Sequence, residues 1–319
     1  METPLQPLHP QVPELLAELG LRVVDAIEWN VLACAPVDSN EMEPTVVLKF
    51  DSTQQKADNI TYEVKIMSQI LPALDQRQFE RLVLPEYVSD GVHGGFRWMT
   101  MKFIQGQPLI HEWSEKSLKL DTLGGKRIPL VIAKDAVDVL RDLRSVDITS
   151  LSSVVRRFSF PEWLESFRLR SAELVTQGLL EQATVDRAME IFVAKKTERY
   201  VGSMFTNGAF YPRNFIMLDN GKIAVVDWVG GVDPWEFVAM YTWMLMWGNA
   251  KWQVEYIAEI KRHFPVDIDE MQTGLLVKSF DQVYRWREQP EEIIGFARTQ
   301  MLSYFRQSLI REYVRDIFA

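Results

Sequence analysis

The chain has 319 residues, more than a single domain usually contains, so we expect two lobes or domains. Hydrophobic residues make up 47% and charged residues 25%, as in a globular protein with a large core. The net charge of −9 argues against nucleic acid or an anionic membrane as a partner, because both require a basic surface, while it permits a cationic substrate.

The N-terminal residues lack the basic and apolar regions of a signal peptide, and the longest apolar runs are too short to span a bilayer. These features predict a cytoplasmic protein. The single cysteine, Cys34, excludes an internal disulfide framework and a thiolate zinc cluster. It lies in an apolar stretch, which predicts a small core residue.

Residues 20–110 are rich in short segments typical of β-strands, which lie at 21–37, 45–50, 81–88 and 96–104. One helical stretch, roughly Asp58 to Leu74, interrupts them. Its apolar residues recur at three- and four-residue spacing and predict one buried face: Ile60, Val64, Met67 and Leu71.

From about residue 128 the pattern becomes mainly helical, with segments at 128–146, 160–175, 183–201, 235–247, 252–264, 269–287 and 290–318. One segment in this half, 214–228, predicts a β-hairpin around the turn residues Asp219-Asn220-Gly221. The Gly-Gly pair within 115–129 predicts a flexible connection. We therefore expect a β-rich lobe at 1–110 and a helical lobe with an embedded hairpin at 111–319.

Near residue 235 the helical half contains a candidate helix start and a dense cluster of apolar residues. Asp233 is predicted to cap the helix that follows, with Pro234 in its first turn and Glu236 near the positive end of the helix dipole. The alternative is that this segment contacts a substrate. A set of large apolar residues is predicted to pack in the core rather than to line a ligand site: Trp235, Met240, Trp243, Met244, Met246 and Trp247.

Residues 206–241 resemble the catalytic core of the aminoglycoside phosphotransferase and choline kinase group, which is related in fold to protein kinases. In that group a His-Gly-Asp triplet is followed five residues after its Asp by an Asn, then by a hairpin that ends in an Asp. Here the corresponding positions are Asn207-Gly208-Ala209, Asn214, Asp227-Trp228 and Asp233-Pro234.

The resemblance covers roughly residues 20–245. It implies an α+β, two-lobed protein-kinase-like fold, with a small antiparallel β lobe and a larger, mainly helical lobe. It further implies ATP and Mg²⁺ as cofactors and a small hydroxylated substrate as phosphoryl acceptor. The stretch 101–109 looks like the group's inter-lobe segment, so the backbone at Met101 and Phe103 is expected to meet the adenine.

Asn214 and Asp227 are the candidate metal ligands. Magnesium takes oxygen ligands and keeps several waters, so one carboxylate and one amide oxygen from the protein suffice. The two residues flank the predicted hairpin, thirteen positions apart by their numbers. The alternatives are that Asp227 only caps a turn at a strand end and that Asn214 only forms an Asx-turn.

Lys49 is the candidate phosphate lysine. It lies in an apolar strand and needs a partner if it points inward, and Glu63 in the following helix is placed to provide one. Glu41 and Glu43 also lie near the strand and compete for this assignment. The alternative is a solvated lysine at a strand edge and a surface glutamate.

The position of the group's catalytic base is Ala209, and the triplet's histidine is Asn207. A methyl group accepts no proton, so the sequence predicts either a phosphotransferase impaired by the missing base or a catalytically silent nucleotide- or protein-binding scaffold. Retention of the lysine, glutamate and both metal ligands favours the first. Arg213, in the same loop, is placed to reach a phosphate or an acidic neighbour.

Overall fold

The computed structural model describes residues 10–28, 30–39, 42–51, 54–108, 132–195, 200–289 and 291–319. The chain divides into two compact units, one formed by Met1–Gln107 with Ile216–Val229 and the other by Pro108–Phe215 with Gly230–Ala319. Most of the predicted hairpin at 214–228 therefore belongs to the first unit, which corrects its placement in the helical half. The predicted flexible connection at 115–129 lies outside the described residues.

The predicted β-rich and helical segments appear in order, with an additional N-terminal helix, three additional two-residue strands, and two helices in place of the one segment predicted at 290–318. The helices and strands are α1 (Val12–Glu18), β1 (Leu21–Glu28), β2 (Val31–Pro36), β3 (Val46–Asp51), α2 (Gln54–Lys65), β4 (Leu82–Val83), β5 (Tyr87–His93), β6 (Phe96–Lys102), β7 (Gln107–Pro108), α3 (Ile132–Arg144), α4 (Phe160–Thr176), α5 (Gln182–Ala194), β8 (Met204–Phe205), β9 (Phe215–Met217), β10 (Ile223–Val225), β11 (Val232–Asp233), α6 (Trp235–Leu245), α7 (Ala250–His263), α8 (Ile268–Trp286), α9 (Glu291–Ser308) and α10 (Arg311–Ile317).

The first unit is built on an antiparallel sheet with strand order β1-β2-β3-β6-β5. Helix α1 packs on one face, where Val12 and Leu15 join Leu48 and Phe50 of β3 in a buried cluster. Side chains alternate between the faces of a strand, so Lys49 of β3 points to the opposite face. That face is covered by α2, which contacts both β3 and β6.

Helix α2 directs an acidic side chain into the interior. Its predicted apolar face is buried as expected, with Ile60, Val64, Met67 and Leu71 all below 8% exposure. Glu63 lies three residues after Ile60, hence on the same face, and is completely buried. The helix continues beyond Lys65 through a π-helical turn at Ile66–Ile70 and a 3₁₀ turn at Leu71–Ala73.

The hairpin of the first unit joins β9 to β10, which are neighbours in a second sheet with order β4-β10-β9-β7. Its turn is closed by Leu218 N–H donating to the Lys222 carbonyl at 2.9 Å, and the Asn220 side chain accepts from Lys222 N–H at 3.0 Å. The predicted strand, turn and strand are therefore confirmed, and the chain leaves β10 directly toward Asp227.

The second unit is mainly helical, and α6 lies at its centre. Every residue of α6 except Glu236 is buried, which is typical of a helix surrounded by others rather than one lying at a surface. The Trp and Met residues predicted to form core are all less than 8% exposed, so that prediction is confirmed. Within the described ranges no helix combines the length and apolarity needed to cross a membrane.

Candidate functional site

Lys49 of the first unit forms two short ion pairs. Its Nζ lies 2.6 Å from Oε2 of Glu63 and 2.6 Å from Oδ1 of Asp227. The predicted Lys49–Glu63 pair is therefore present. The competing Glu43 contacts Gln105 instead, while Glu41 lies outside the described residues. Two carboxylates around one ammonium leave this cluster with an excess negative charge.

Asp227 stands where the chain leaves β10, with a left-handed backbone at φ 64°. It is the only non-glycine residue with positive φ among those the structure describes. Such a conformation is uncommon for residues with a Cβ, and aspartate and asparagine tolerate it best. The side chain is 39% exposed, against 16% for Lys49 and 0% for Glu63, so the cluster opens to solvent at Asp227.

Glu63 also connects its cluster with Lys49 and Asp227 to the backbone. Its second oxygen, Oε1, accepts a hydrogen bond from the Trp228 N–H at 3.1 Å. The Trp228 ring is itself fully buried, and its indole N–H donates to the Val225 carbonyl at 2.7 Å. The residue after Asp227 is thus fixed on both its backbone and its side chain, which holds the strained Asp227 conformation in place.

The electrostatics favour a charged lysine. Burial alone would lower the pKa of Lys49, but the carboxylates of Asp227 and Glu63 more than offset this, so its pKa is raised. Burial raises the pKa of Glu63, and nearby Asp227 adds to the rise, against the opposing attraction of Lys49. The cluster therefore keeps its cation across the physiological pH range.

Residues 207–214 form a loop of the second unit that contains the Ala209 position. The Asn214 amide donates to the Ala209 carbonyl at 2.9 Å, and the Asn207 amide donates to the same carbonyl at 3.3 Å. Ala209 itself is 7% exposed. Two side-chain amides therefore hold the backbone at residue 209 whatever its side chain.

The same loop is supported from α6 and from the segment before it. Thr242 of α6 donates from its hydroxyl to the Phe210 carbonyl at 2.6 Å. A Cβ added at Gly230 would lie 2.1 Å from the Gly208 nitrogen, so only glycine permits this approach of the two backbones. The sequence analysis did not single out these contacts, although the Gly230-Gly231 pair was a readable signal.

The donor atoms of the candidate metal ligands suit magnesium. The exposed carboxylate of Asp227 offers a hard oxygen, and Asn214 has its amide nitrogen bonded to a carbonyl, which leaves its oxygen on the other side. The described ranges contain no group of three or more His, Cys, Asp or Glu side chains able to hold a metal alone. Single carboxylate and amide oxygens of this kind are what magnesium uses when phosphates and waters complete its shell.

The remaining candidates are placed as follows. Met101 is a buried residue of β6, and Phe103 comes just after that strand, where its N–H donates to the Thr45 carbonyl at 2.9 Å. Arg213 lies in a 3₁₀ turn, Pro212–Asn214, directly before β9. Cys34 is fully buried, and burial raises the pKa of its thiol to about 11, in agreement with a core role.

The predicted cap at Asp233 is wrong. The residue at the cap position of α6 is Pro234, and the first helical N–H, that of Trp235, donates to the Ser203 hydroxyl at 3.1 Å. The Asp233 carboxylate instead pairs with Lys278 of α8 at 2.8 Å. The carboxylate is therefore engaged by a charged partner on another helix, while the Ser203 hydroxyl takes the capping role at the first helical N–H.

The sequence matches no family model, and a comparison with curated proteins gives no significant match. Similar folds are found among solved structures. The ADP-bound aminoglycoside phosphotransferase APH(2'')-Ib has a TM-score of 0.59 and 16% identity over 95% of this chain and 100% of that chain. The GDP complex of aminoglycoside 2'-phosphotransferase-IIIa has a TM-score of 0.61 and 14% identity over 94% and 99%.

The macrolide 2'-phosphotransferase MphH from Brachybacterium faecium is also similar, with a TM-score of 0.55 and 14% identity over 92% of this chain and 98% of that chain. At these identities the likeness establishes the fold. The chain has the mixed α and β, protein-kinase-like fold of aminoglycoside and macrolide phosphotransferases, as the sequence predicted.

Proposed function

We propose that this chain binds ATP with magnesium and transfers the γ-phosphoryl group to a hydroxyl of a small molecule, slowly because residue 209 is alanine. The observation that carries the proposal is the double pairing of Lys49 with Glu63 and Asp227 at 2.6 Å each. A partly buried strand lysine paired with a helix glutamate, beside a carboxylate at a strand end, provides the groups that protein kinases use to position phosphates and magnesium.

Each residue has a distinct part in this proposal. Lys49 supplies a fixed positive charge for the phosphates, and Glu63 holds it in place from α2. Asp227 and Asn214 would hold magnesium through a carboxylate and an amide oxygen, and backbone groups at Met101 and Phe103 would meet the adenine. When bound, magnesium neutralises charge on the phosphate oxygens. Arg213 remains a candidate for contact with a phosphate or an acidic neighbour.

The missing carboxylate limits the rate rather than binding. General-base catalysis commonly contributes about 10²–10⁴-fold, which corresponds to roughly 3–5 kcal/mol of transition-state stabilisation. Slow transfer to a hydroxylated acceptor then depends on positioning and on the positive charges of Lys49 and magnesium. The acidic net charge of −9 is compatible with a cationic acceptor.

A second candidate function is a catalytically silent scaffold that binds nucleotide or a protein partner. It is favoured by Ala209 being only 7% exposed and by both amides of the loop being bonded to its carbonyl, so the loop is ordered without a base. The nucleotide-binding scaffold and the phosphotransferase share the nucleotide site and differ in turnover, whereas a protein-binding scaffold does not require that site.

The first prediction is that the protein binds ATP in a magnesium-dependent way. Lys49, Asn214 and Asp227 do not depend on residue 209, so isothermal calorimetry should give a dissociation constant between about 1 μM and 1 mM. Addition of EDTA should weaken the binding. Absence of heat and of any thermal shift at millimolar ATP with magnesium would overturn the phosphotransferase proposal and the nucleotide-binding form of the scaffold, leaving only a protein-binding scaffold.

The second prediction concerns Asp227→Asn. Asparagine tolerates the left-handed backbone at φ 64°, and the lost ion pair is partly exposed, so the fold should survive with a loss of about 1 kcal/mol or less. The gain in ATP affinity on adding magnesium should fall at least about tenfold, because a neutral amide oxygen binds the ion more weakly than a carboxylate.

The matched control is Asp219→Asn, the same change at an exposed residue of the same hairpin. It should leave the magnesium effect on ATP affinity unchanged, as measured by calorimetry with and without the metal. If Asp227→Asn binds ATP with magnesium as tightly as the parent protein does, Asp227 serves only as a turn residue.

A further inference from the structure

Helix α6 contains a buried hydroxyl that packing alone does not require. Thr242 is completely buried, and every residue of α6 except Glu236 is buried with it. Valine has nearly the shape of threonine and carries no polar side-chain atom, so it would fill this position without the cost of burying a hydroxyl. The hydroxyl therefore has to be explained by its hydrogen bonds.

The Thr242 hydroxyl lies close to two carbonyl groups. One is the Val238 carbonyl at 2.9 Å, four residues earlier in the same helix, which is a contact open to any helical threonine. The other is the Phe210 carbonyl at 2.6 Å, which lies 32 residues earlier in the chain. A hydroxyl has a single hydrogen to donate, and the shorter contact is the one to Phe210. Thr242 therefore connects the central helix of the second unit to the 207–214 loop.

The Phe210 carbonyl lies between two carbonyls that hold Asn214. The side-chain amide of Asn214 donates to the carbonyl of Ala209 at 2.9 Å, and its backbone N–H donates to the carbonyl of Tyr211 at 2.9 Å. Asn214 is thus bound to the first and third of three consecutive carbonyls, and Thr242 binds the second. A rotation of the middle peptide would change the distance between the outer two acceptors, and with it the direction of the Asn214 amide oxygen.

The neighbouring contacts of Phe210 do not restrain this peptide. The Phe210 ring is buried with its centroid 4.8 Å from that of Phe215, so packing holds the side chain rather than the carbonyl. The Asn207 amide reaches the preceding carbonyl, that of Ala209, at 3.3 Å. The contact that restrains the Phe210 carbonyl is the hydrogen bond from Thr242.

We propose that Thr242 is a positioning residue for Asn214, whose hydroxyl fixes the Phe210–Tyr211 peptide so that the Asn214 amide oxygen is presented to magnesium. The positioning follows from contacts within the second unit, while its effect on magnesium rests on the proposed function. Thr242 is completely buried, so it acts through Asn214. Loss of its hydroxyl should therefore weaken the contribution of magnesium to ATP binding and leave magnesium-free binding unchanged.

The test replaces Thr242 by valine and by serine. Thr242→Val removes the hydroxyl at nearly constant shape, whereas Thr242→Ser keeps the hydroxyl and removes the methyl group. In calorimetry with ATP, the gain in affinity on adding magnesium should fall by roughly threefold to tenfold in Thr242→Val, which is the effect of about one hydrogen bond. Thr242→Ser should keep the gain of the parent protein. Magnesium-free ATP affinity should be the same in all three proteins.

The matched control is Thr273→Val. Thr273 is a completely buried threonine of α8, and its hydroxyl lies 2.9 Å from the Asp269 carbonyl and 2.9 Å from the Tyr200 hydroxyl. This substitution removes hydrogen bonds of the same kind that do not involve the loop, so it should leave the magnesium gain unchanged. An equal fall in Thr273→Val, or no fall in Thr242→Val, would overturn the proposal.

A second measurement requires no nucleotide. In protein with isotope-labelled asparagine, the side-chain amide protons of Asn214 should exchange with solvent faster in Thr242→Val than in the parent protein, Thr242→Ser or Thr273→Val. Should the parent protein show no magnesium gain, the proposed function fails, and faster exchange in Thr242→Val would still support the positioning of Asn214. Unchanged exchange in Thr242→Val would overturn that positioning. If Thr242→Val does not fold, Thr242→Ala compared with Thr242→Ser repeats the test, because these two also differ by the hydroxyl.

Discussion

Replacing Lys49 by methionine should lower the free energy of unfolding by about 3 kcal/mol, because removal of one partner of a buried ion pair leaves an uncompensated charge. Glu63 is completely buried and would lose the Lys49 ammonium that lies 2.6 Å away, while Asp227 is 39% exposed and can be solvated. Methionine keeps much of the volume and the β-strand packing of the lysine stem. The loss should therefore come from Glu63, measured by urea denaturation at pH 7.

The double variant Lys49→Met with Glu63→Gln identifies the cause. Glutamine retains an oxygen for the Trp228 N–H and removes the charge, so most of the lost stability should return. ATP binding should be weak in both variants, because neither has the lysine proposed to contact the phosphates. Lys102→Met is the matched control, since Lys102 lies on neighbouring β6 with a side chain that is 61% exposed. A Lys49→Met protein as stable as the Lys102→Met protein would show that the pair is solvated and does not stabilise the fold.

Local patterns were sufficient to predict the Lys49–Glu63 pair. Side chains alternate between the two faces of β3, and apolar residues recur every three or four positions along α2. Each pattern places one charged residue on a buried face, and a buried charge requires a partner. The contact of Lys49 with Asp227 was not predicted, because their separation of 178 residues is bridged only by the fold. The resemblance to phosphotransferases implied a role for each residue, but it did not predict a contact between them.

Other features depended on contacts that no local pattern reports. Asp233 has the sequence of a helix cap, yet its partner is Lys278, 45 residues later on α8. Glu236 lies where the helix dipole favours an ionised carboxylate, and a backbone hydrogen bond there lowers its pKa, but burial and then the neighbouring Glu270 raise that pKa further. The Asp233 cap was wrongly predicted because its charged partner lies on another helix.

Ala209→Asp should raise phosphoryl transfer to a suitable acceptor by about 10²-fold or more. A carboxylate accepts the hydroxyl proton as the phosphoryl group moves, which a methyl group cannot do. The backbone at residue 209 is already held by the Asn207 and Asn214 amides at 3.3 and 2.9 Å, so the new side chain would enter a loop whose geometry does not depend on it. The carbonyl of Phe210 is further fixed by Thr242.

The measurement is ADP release across a panel of hydroxylated and aminated small molecules, since a kinase without acceptor shows only slow hydrolysis. Ala209→Asn is the matched control, similar in size to aspartate but unable to act as a base, and it should stay at the parent rate. If no compound in the panel raises ADP release by the Ala209→Asp protein, although that protein binds ATP in a magnesium-dependent way, the silent scaffold would be favoured.

Asn207 decides whether one substitution is enough. It is completely buried and donates to the Ala209 carbonyl, so it already braces the loop at the position where the phosphotransferase triplet has histidine. We therefore expect Ala209→Asp alone to respond, and the double variant with Asn207→His to add less than about threefold to the rate. A response confined to the double variant would show instead that an imidazole at 207, and not the amide, is required to orient the new carboxylate.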